Sequence, residues 1–239
     1  MTASLDGLHN RQDKWAMTIP RDPKHPLYVR SLDANLFLNG LRPETEADFR
    51  KGDGSELNDA KTRPAKMRAL VSSSALAVNF FDPWRGERLV ELGAALSLNA
   101  PVVSLGFEYK PLNYPVKPRS PNLDLMLTLD DGQRVGVESK FAEPYRSPGE
   151  GSVISRRYFP TDLALWTDVG LDGAQALANT LAPSWIYLDV GQLLKHMLGL
   201  ASETQGRTEH YLPVAIASGV VGKVQPIAIT SHDGERLRG

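Results

Sequence analysis

Residues 121–141 read PNLDLMLTLDDGQRVGVESKF, and this stretch decides the fold. Leucine occupies every second position from 123 to 129, which is the period of a β-strand with one apolar face. A second alternating run follows from 135 to 141. Between the two runs lies Asp130-Asp131-Gly132, a turn signal whose glycine can adopt a positive φ. The sequence therefore predicts a β-hairpin with charged side chains on both strands.

The length of the hairpin loop decides whether Asp124 and Glu138 share a face. With the two-residue loop Asp131-Gly132, Asp124 lies opposite Ser139, and the two carboxylates point to opposite faces. With the three-residue loop Asp130-Asp131-Gly132, Asp124 lies directly opposite Glu138. Their Cβ atoms are then roughly 5 Å apart, close enough for both carboxylates to reach one cation. A shared site therefore requires the three-residue loop or a bulge.

Two carboxylates and the nearby Lys140 form the kind of group that metal-assisted phosphodiester hydrolysis requires. Carboxylate oxygens hold a hard cation, and the amine steers a water molecule. Without a cation, two carboxylates at this separation repel each other by about 4 kcal/mol at an effective dielectric constant near 20. The alternative is a solvent-facing hairpin with scattered charges, because a pattern this short arises often by chance.

The motif PNLD followed by ESK resembles the active-site signature of the PD-(D/E)xK nuclease superfamily, with Asn-Leu between the usual proline and aspartate. Residues 72–81, SSSALAVNFF, and residues 192–200, QLLKHMLGL, are similar to a family of bacterial restriction-endonuclease-like proteins. The resemblance runs from about residue 68 to about residue 211. It implies an α/β (α+β) fold with a restriction-endonuclease-like core, in which a mixed β-sheet is flanked by helices.

The resemblance also implies roles for individual residues. Asp124 and Glu138 would ligate Mg²⁺, or Mn²⁺ in its place, together with the backbone carbonyl of Ser139. Lys140 would position or activate the attacking water. The implied activity is an endonuclease that hydrolyses phosphodiester bonds in DNA, of the restriction or repair type, with RNA as an alternative substrate. A catalytically silent module that binds nucleic acid or a partner protein is the second hypothesis.

Further residues are expected to join the site. Superfamily members often use an additional acid from a preceding helix, and Glu91 is the first choice, with Glu87 and Glu108 as rivals. The helix predicted at 189–201 has an apolar face and a polar stripe. On that stripe Gln192 or Lys195 is expected to touch substrate or a metal-bound water, with Gln192 the first choice, whereas His196 is interpreted as a surface residue.

The order of predicted elements agrees with the nuclease core. Residues 1–60 are polar and interrupted by proline, and they are interpreted as an irregular arm that packs on a single nuclease-like domain, 61–239. Read as α-β-β-β-α-β, the pattern places a mixed sheet between helices. Helices are predicted near 66–80, 84–98, 161–180 and 189–201, and strands near 102–109, in the two hairpin arms, near 211–217 and near 224–230.

Composition limits the function classes. The chain has 239 residues, of which 41% are hydrophobic, enough for one domain with a real core. It has no cysteine, which excludes disulfides and thiolate metal sites and fits an intracellular protein. No apolar run approaches the length of a membrane span, and the polar first residues contain no signal-peptide core. A cytoplasmic protein that does not bind membranes is therefore expected.

The charge balance bears on nucleic-acid binding. The net charge is −1 and the pI is about 6.5, whereas a general nucleic-acid coat is strongly basic. Local clusters can still hold a phosphate backbone, and Lys61, Arg63, Lys66 and Arg68 form one such cluster. DNA is the expected partner, and a homodimer would allow both strands to be cut.

Overall fold

A computed structural model describes residues 2–52, 56–116, 120–141, 156–158, 165–171, 173, 190–203 and 211–217. The predicted α-β-β-β-α-β order is confirmed, since helices precede three consecutive strands and a further helix precedes a fourth strand. No helix in these ranges is long and apolar enough to cross a bilayer. The elements are α1 Thr2–Ala16, α2 Pro43–Lys51, α3 Ser73–Phe81, α4 Leu89–Ala95, β1 Val102–Tyr109, β2 Leu123–Leu129, β3 Arg134–Lys140, α5 Val190–Glu203 and β4 Tyr211–Ala217.

The four strands form one mixed sheet in the order β1-β2-β3-β4. β1 pairs antiparallel with β2, and β2 pairs antiparallel with β3. β4 lies parallel to β3, and a parallel pair needs a long crossover connection. The chain from β3 to β4 contains α5, so the predicted mixed sheet between helices is confirmed.

The hairpin has the three-residue loop. Leu125 pairs with Val137, and the backbone N–H of Leu129 donates to the carbonyl of Gln133 at 2.8 Å. Gly132 has a φ of 86°, in the left-handed region that this loop type places at its last position. One step beyond the Leu125–Val137 pair, the same register sets position 124 opposite position 138.

The leucine alternation builds the main core. Leu125 and Leu127 are fully buried, and burial of each side chain contributes about 2 kcal/mol. This face of the sheet packs against the helices that precede it. The cluster includes Phe49 of α2, Val78 and Phe81 of α3, Leu92 of α4, and Leu105, Phe107, Leu125, Leu127, Leu129, Val135 and Val137 of the sheet.

The opposite face of the hairpin lies close to α5. A Cβ atom built on Gly136 would come within 2.6 Å of Leu123 Cδ2 and 3.1 Å of Leu200 Cδ1. Glycine at this position therefore lets α5 approach the sheet. Because side chains alternate along a strand, Glu138 belongs to the same face as Gly136, which brings it under α5.

The first sixty residues differ from the prediction of an irregular arm, because they contain α1 and α2. Pro43 opens α2, and acidic residues in its first turn and basic residues in its last turn match the helix dipole. Phe49 stacks on Phe107 with ring centroids 5.5 Å apart, so α2 is part of the core. The division into an arm and one domain stays a prediction.

Several predicted boundaries shift. The helix predicted near 66–80 consists of a short 3-10 turn, Lys66–Arg68, followed by α3, which begins where the Ser72 hydroxyl accepts the Ala75 N–H at 3.1 Å. The helix predicted near 84–98 is shortened to α4. The strand predicted near 224–230 and most of the helix predicted near 161–180 lie outside the described residues.

Candidate active site

The two strands of the hairpin bring Asp124 and Glu138 together at one end of the sheet. Asp124 Oδ2 accepts the backbone N–H of Ser139 at 2.6 Å, so the aspartate is tied across to β3. Glu138 is buried, with 4% of its surface exposed. The cross-strand pair that the longer loop predicted is therefore present.

Lys140 and Gln192 complete a compact group around Glu138. Lys140 Nζ lies 2.6 Å from Glu138 Oε1 and 2.9 Å from Gln192 Oε1. Gln192 Nε2, supplied by α5, donates to the same Glu138 oxygen at 2.7 Å. The structure thus assembles four predicted site residues, Asp124, Glu138, Lys140 and Gln192, while their catalytic roles stay predictions.

The electrostatics of Glu138 reflect its crowded position. Burial raises the pKa of Glu138, and the negative charge of Asp124 raises it further. Lys140 and Gln192 oppose this rise, because both donate hydrogen bonds to the carboxylate. A cation between Asp124 and Glu138 would remove the repulsion between them.

Glu108 is a third acid at this edge. Phe107 pairs with Leu125 and Tyr109 pairs with Leu123, so position 108 lies beside Asp124. Burial raises the pKa of Glu108 to about 7, with further contributions from Asp124 and from Glu56. Of the three residues considered as the additional acid, Glu91, Glu87 and Glu108, it is thus Glu108 that interacts with Asp124.

Glu56 was missed by sequence reasoning. It is 8% exposed, and it accepts hydrogen bonds from Ser74 Oγ and Lys66 Nζ, both at 2.9 Å. Glu56 belongs to the first sixty residues and carries no motif, so only the folded chain brings it close to Glu108.

The structure does not bring Glu91 to this group. Its side chain is 64% exposed on α4, and its carboxylate pairs with Arg88 at 3.4 Å. Glu87 is exposed as well. The first choice, Glu91, is therefore not placed at the site, whereas its rival Glu108 lies next to Asp124 on the neighbouring strand.

His196 is buried, contrary to its interpretation as a surface residue. It lies one turn after Gln192, is 4% exposed, and has Nδ1 3.5 Å from Glu138 Oε2. Neither of these two atoms has a hydrogen-bond partner among the described residues. Burial lowers the pKa of His196 to about 4, and Lys140 and Lys195 lower it too, so the ring is neutral near neutral pH.

Two members of the basic cluster are paired with acids inside the protein. Arg68 contacts Asp22 at 2.8 Å and Asp59 at 3.2 Å. Lys66 contacts Glu56. These pairs tie the first sixty residues to the core, so Lys66 and Arg68 do not stand as freely available phosphate contacts.

The donor set fits Mg²⁺ held by few protein ligands. Among the described residues no group of three or more His, Asp or Glu side chains is arranged to hold a metal ion. Mg²⁺ needs only one or two carboxylates, because it keeps several of its waters. Asp124 and Glu138 supply two, and Glu138 Oε2 is a buried oxygen to which none of the described residues donates a hydrogen bond. A contribution from the Ser139 carbonyl stays a prediction.

The raised pKa of Glu108 leads to a prediction on stability. In the folded protein the Glu108 carboxyl keeps its proton up to about pH 7, whereas a free glutamate side chain has a pKa of 4.5, so stability falls as pH rises between those values. Glu108→Gln should remove this decline, making the variant more stable than wild type at pH 8 by on the order of 2 kcal/mol. Urea unfolding from pH 4 to 8 measures the difference.

Glu91→Gln, at an exposed position, is the control and should leave the wild-type dependence of stability on pH unchanged. If Glu108→Gln also leaves that dependence unchanged, the raised pKa of Glu108 is contradicted.

A mixed sheet whose central hairpin ends in two carboxylates and a lysine defines a restriction-endonuclease-like protein. Residues 8–217 match the family described as restriction endonuclease associating with ARP, and the chain belongs to that family. The resemblance to a restriction-endonuclease-like family is thereby confirmed. No curated protein and no solved structure matches the chain. Membership of a restriction endonuclease family indicates nuclease function and implies DNA binding.

Proposed function

We propose that the protein is a Mg²⁺-dependent endonuclease of the PD-(D/E)xK type that hydrolyses phosphodiester bonds in DNA. One observation carries the proposal: Asp124 lies across the hairpin from Glu138, and Lys140 Nζ lies 2.6 Å from the Glu138 carboxylate. A hard cation, a water to be activated and a phosphate can meet only where such groups converge. Mn²⁺ has similar ligand preferences and should replace Mg²⁺.

Each side chain has a distinct part in this proposal. Asp124 and Glu138, with the Ser139 carbonyl, would hold the cation, which supplies positive charge to the in-line displacement when bound. Lys140 would orient the attacking water and take part in its deprotonation. Gln192 contacts both Lys140 and Glu138, so it would hold them in register. Glu108 would serve as the additional acid.

The family description supports a second element of the proposal. It names an association with ARP, and we extend that association to this chain as a protein partner. A silent module that only binds nucleic acid or this partner is the competing function. The presence of all three residues of the trio favours an enzyme, because a module without catalysis has no need for them. We further propose that the protein is cytoplasmic and that it forms a homodimer, which would allow both DNA strands to be cut.

Supercoiled plasmid incubated with the purified protein tests this function. We expect nicked and linear products with Mg²⁺ or Mn²⁺ and none with EDTA. Single-stranded DNA and RNA of matched length, assayed in parallel, separate the substrate classes. Retarded migration of DNA without cleavage, in the presence of either metal, would favour the silent module instead.

A further inference from the structure

Asn122 lies just before β2, two residues ahead of Asp124, and it connects three parts of the site. Its Nδ2 donates to Glu108 Oε2 at 3.1 Å. Its backbone forms a hydrogen bond with His196 of α5. In the sequence, Asn122 is notable only because it separates the proline of the motif from its aspartate. In the fold it is the junction between β1, the start of β2 and α5.

The hydrogen bond from Asn122 to Glu108 matters because Glu108 has an unusual backbone conformation and lies near two other acids. Its φ of 52° lies in the left-handed region that side-chain-bearing residues seldom adopt. Its carboxyl group also interacts with the like charges of Asp124 and Glu56. The like charges favour another position for the side chain, and the hydrogen bond from Asn122 holds it against them.

The orientation of the Asn122 amide follows from its partner. Asn122 Nδ2 donates to Glu108 Oε2, so the amide presents its NH₂ group to the carboxyl group of Glu108. Asn122 Oδ1 is buried and has no hydrogen-bond partner among the described residues. The side chain is therefore fixed by Glu108, while the His196 contact fixes its backbone.

We propose that Asn122 is a positioning residue that holds Glu108 beside Asp124, where the Glu108 carboxylate supports the two proposed metal ligands, Asp124 and Glu138, from the outer shell. This inference rests on the proposed function, since it concerns the same metal-binding edge. It assigns to Asn122 no contact with the metal or the reacting phosphate. Its effect passes through Glu108, and that dependence can be measured.

A double-mutant cycle on Asn122 and Glu108 tests the dependence. Asn122→Leu keeps a side chain of similar size but removes the donor, and it should weaken Mn²⁺ binding about 10-fold, at the lower end of the effects of outer-shell residues. Glu108→Gln should weaken it at least as much. In the Glu108→Gln background, Asn122→Leu should cause no further loss, because the interaction it supports is already gone. Isothermal titration calorimetry gives the Mn²⁺ affinities, and thermal unfolding reports folding.

Asn79 offers a control, because it is also a half-buried asparagine whose side-chain amide donates a hydrogen bond, in its case to the Asn35 carbonyl at 2.9 Å. Asn79→Ser should lower the unfolding temperature and leave Mn²⁺ affinity unchanged, whereas Asn122→Ser should weaken Mn²⁺ binding. The serine variant also replaces Asn122→Leu if the latter does not fold. Additive losses in the cycle, or wild-type affinity in the folded Asn122 variants, would overturn the positioning role alone. A wild-type protein that binds no Mn²⁺ would overturn the proposed function itself.

Discussion

Replacement of Lys140 by alanine is expected to abolish DNA cleavage while metal binding persists. Lys140 Nζ contacts Glu138 and Gln192. The amine therefore lies next to a proposed metal ligand, Glu138, but is not expected to bind the metal itself. Loss of a group that assists proton transfer from water lowers rates by roughly 10²- to 10⁴-fold. The rate of plasmid relaxation at saturating Mg²⁺ measures the loss, and calorimetric titration with Mn²⁺ measures binding.

The pH of this comparison matters, because Lys140 lowers the pKa of the buried Glu138 carboxyl. Without the amine, Glu138 holds its proton to a higher pH, and metal would compete with that proton. Titrations at a series of pH values separate the two effects, because competition with the proton weakens as pH rises. Lys140→Arg retains a positive charge next to Glu138 but cannot release a proton, so it should restore metal affinity without restoring cleavage.

Lys195→Ala is a matched control for Lys140→Ala. Lys195 lies on α5, half-buried, with Nζ 5.8 Å from the centroid of the Tyr158 ring. Its loss removes one lysine from the same region but leaves the Glu138 contacts in place, so cleavage should stay within a few-fold of wild type. Full activity in Lys140→Ala would mean that the cutting arises from another site or from a contaminating nuclease.

The hairpin could be predicted almost completely because local forces determine it. Leucine alternation specifies which face is buried, and the turn residues specify where the chain reverses. The sequence did not decide between the two-residue loop and the three-residue loop, because both end at Gly132. The longer loop has Gly132 in the left-handed region, and it also has the Asp131 side chain accepting the N–H of Gln133 at 2.9 Å.

The additional acids could not be predicted in the same way, because tertiary contacts place them. The search for an acid on a helix favoured Glu91, although strand β1 was predicted with its correct bounds. Glu108 would have been placed beside Asp124 if Tyr109 had been paired with Leu123. That pairing spans the proline-rich connection 110–121, across which no local pattern specifies a register. The burial of His196 was not predicted, because the polar stripe of α5 on which it lies faces the buried carboxylate of Glu138 rather than solvent.

Asp124 is expected to have opposing effects on folding and on the proposed metal binding. Its negative charge raises the pKa of both Glu108 and Glu138, which means that Asp124 repels each of these two carboxylates in the folded protein. Its Oδ2 also accepts the N–H of Ser139, a contact that favours folding. Asparagine has the same shape and keeps an acceptor oxygen, so Asp124→Asn removes the charge and preserves the contact.

Asp124→Asn should therefore stabilise the protein while it eliminates metal binding and cleavage. Relief of like-charge repulsion should raise the free energy of unfolding at pH 8 by about 1 kcal/mol. Loss of a direct ligand should weaken Mn²⁺ binding by more than about 100-fold, since changes in outer-shell residues alone reach that size. Urea unfolding without metal, calorimetric Mn²⁺ titration and plasmid cleavage test the three parts. Asp130→Asn, which alters an exposed aspartate at the other end of the hairpin, should change none of them. A variant that is less stable than wild type, or that still binds Mn²⁺ tightly, would show that Asp124 is a structural residue rather than a metal ligand.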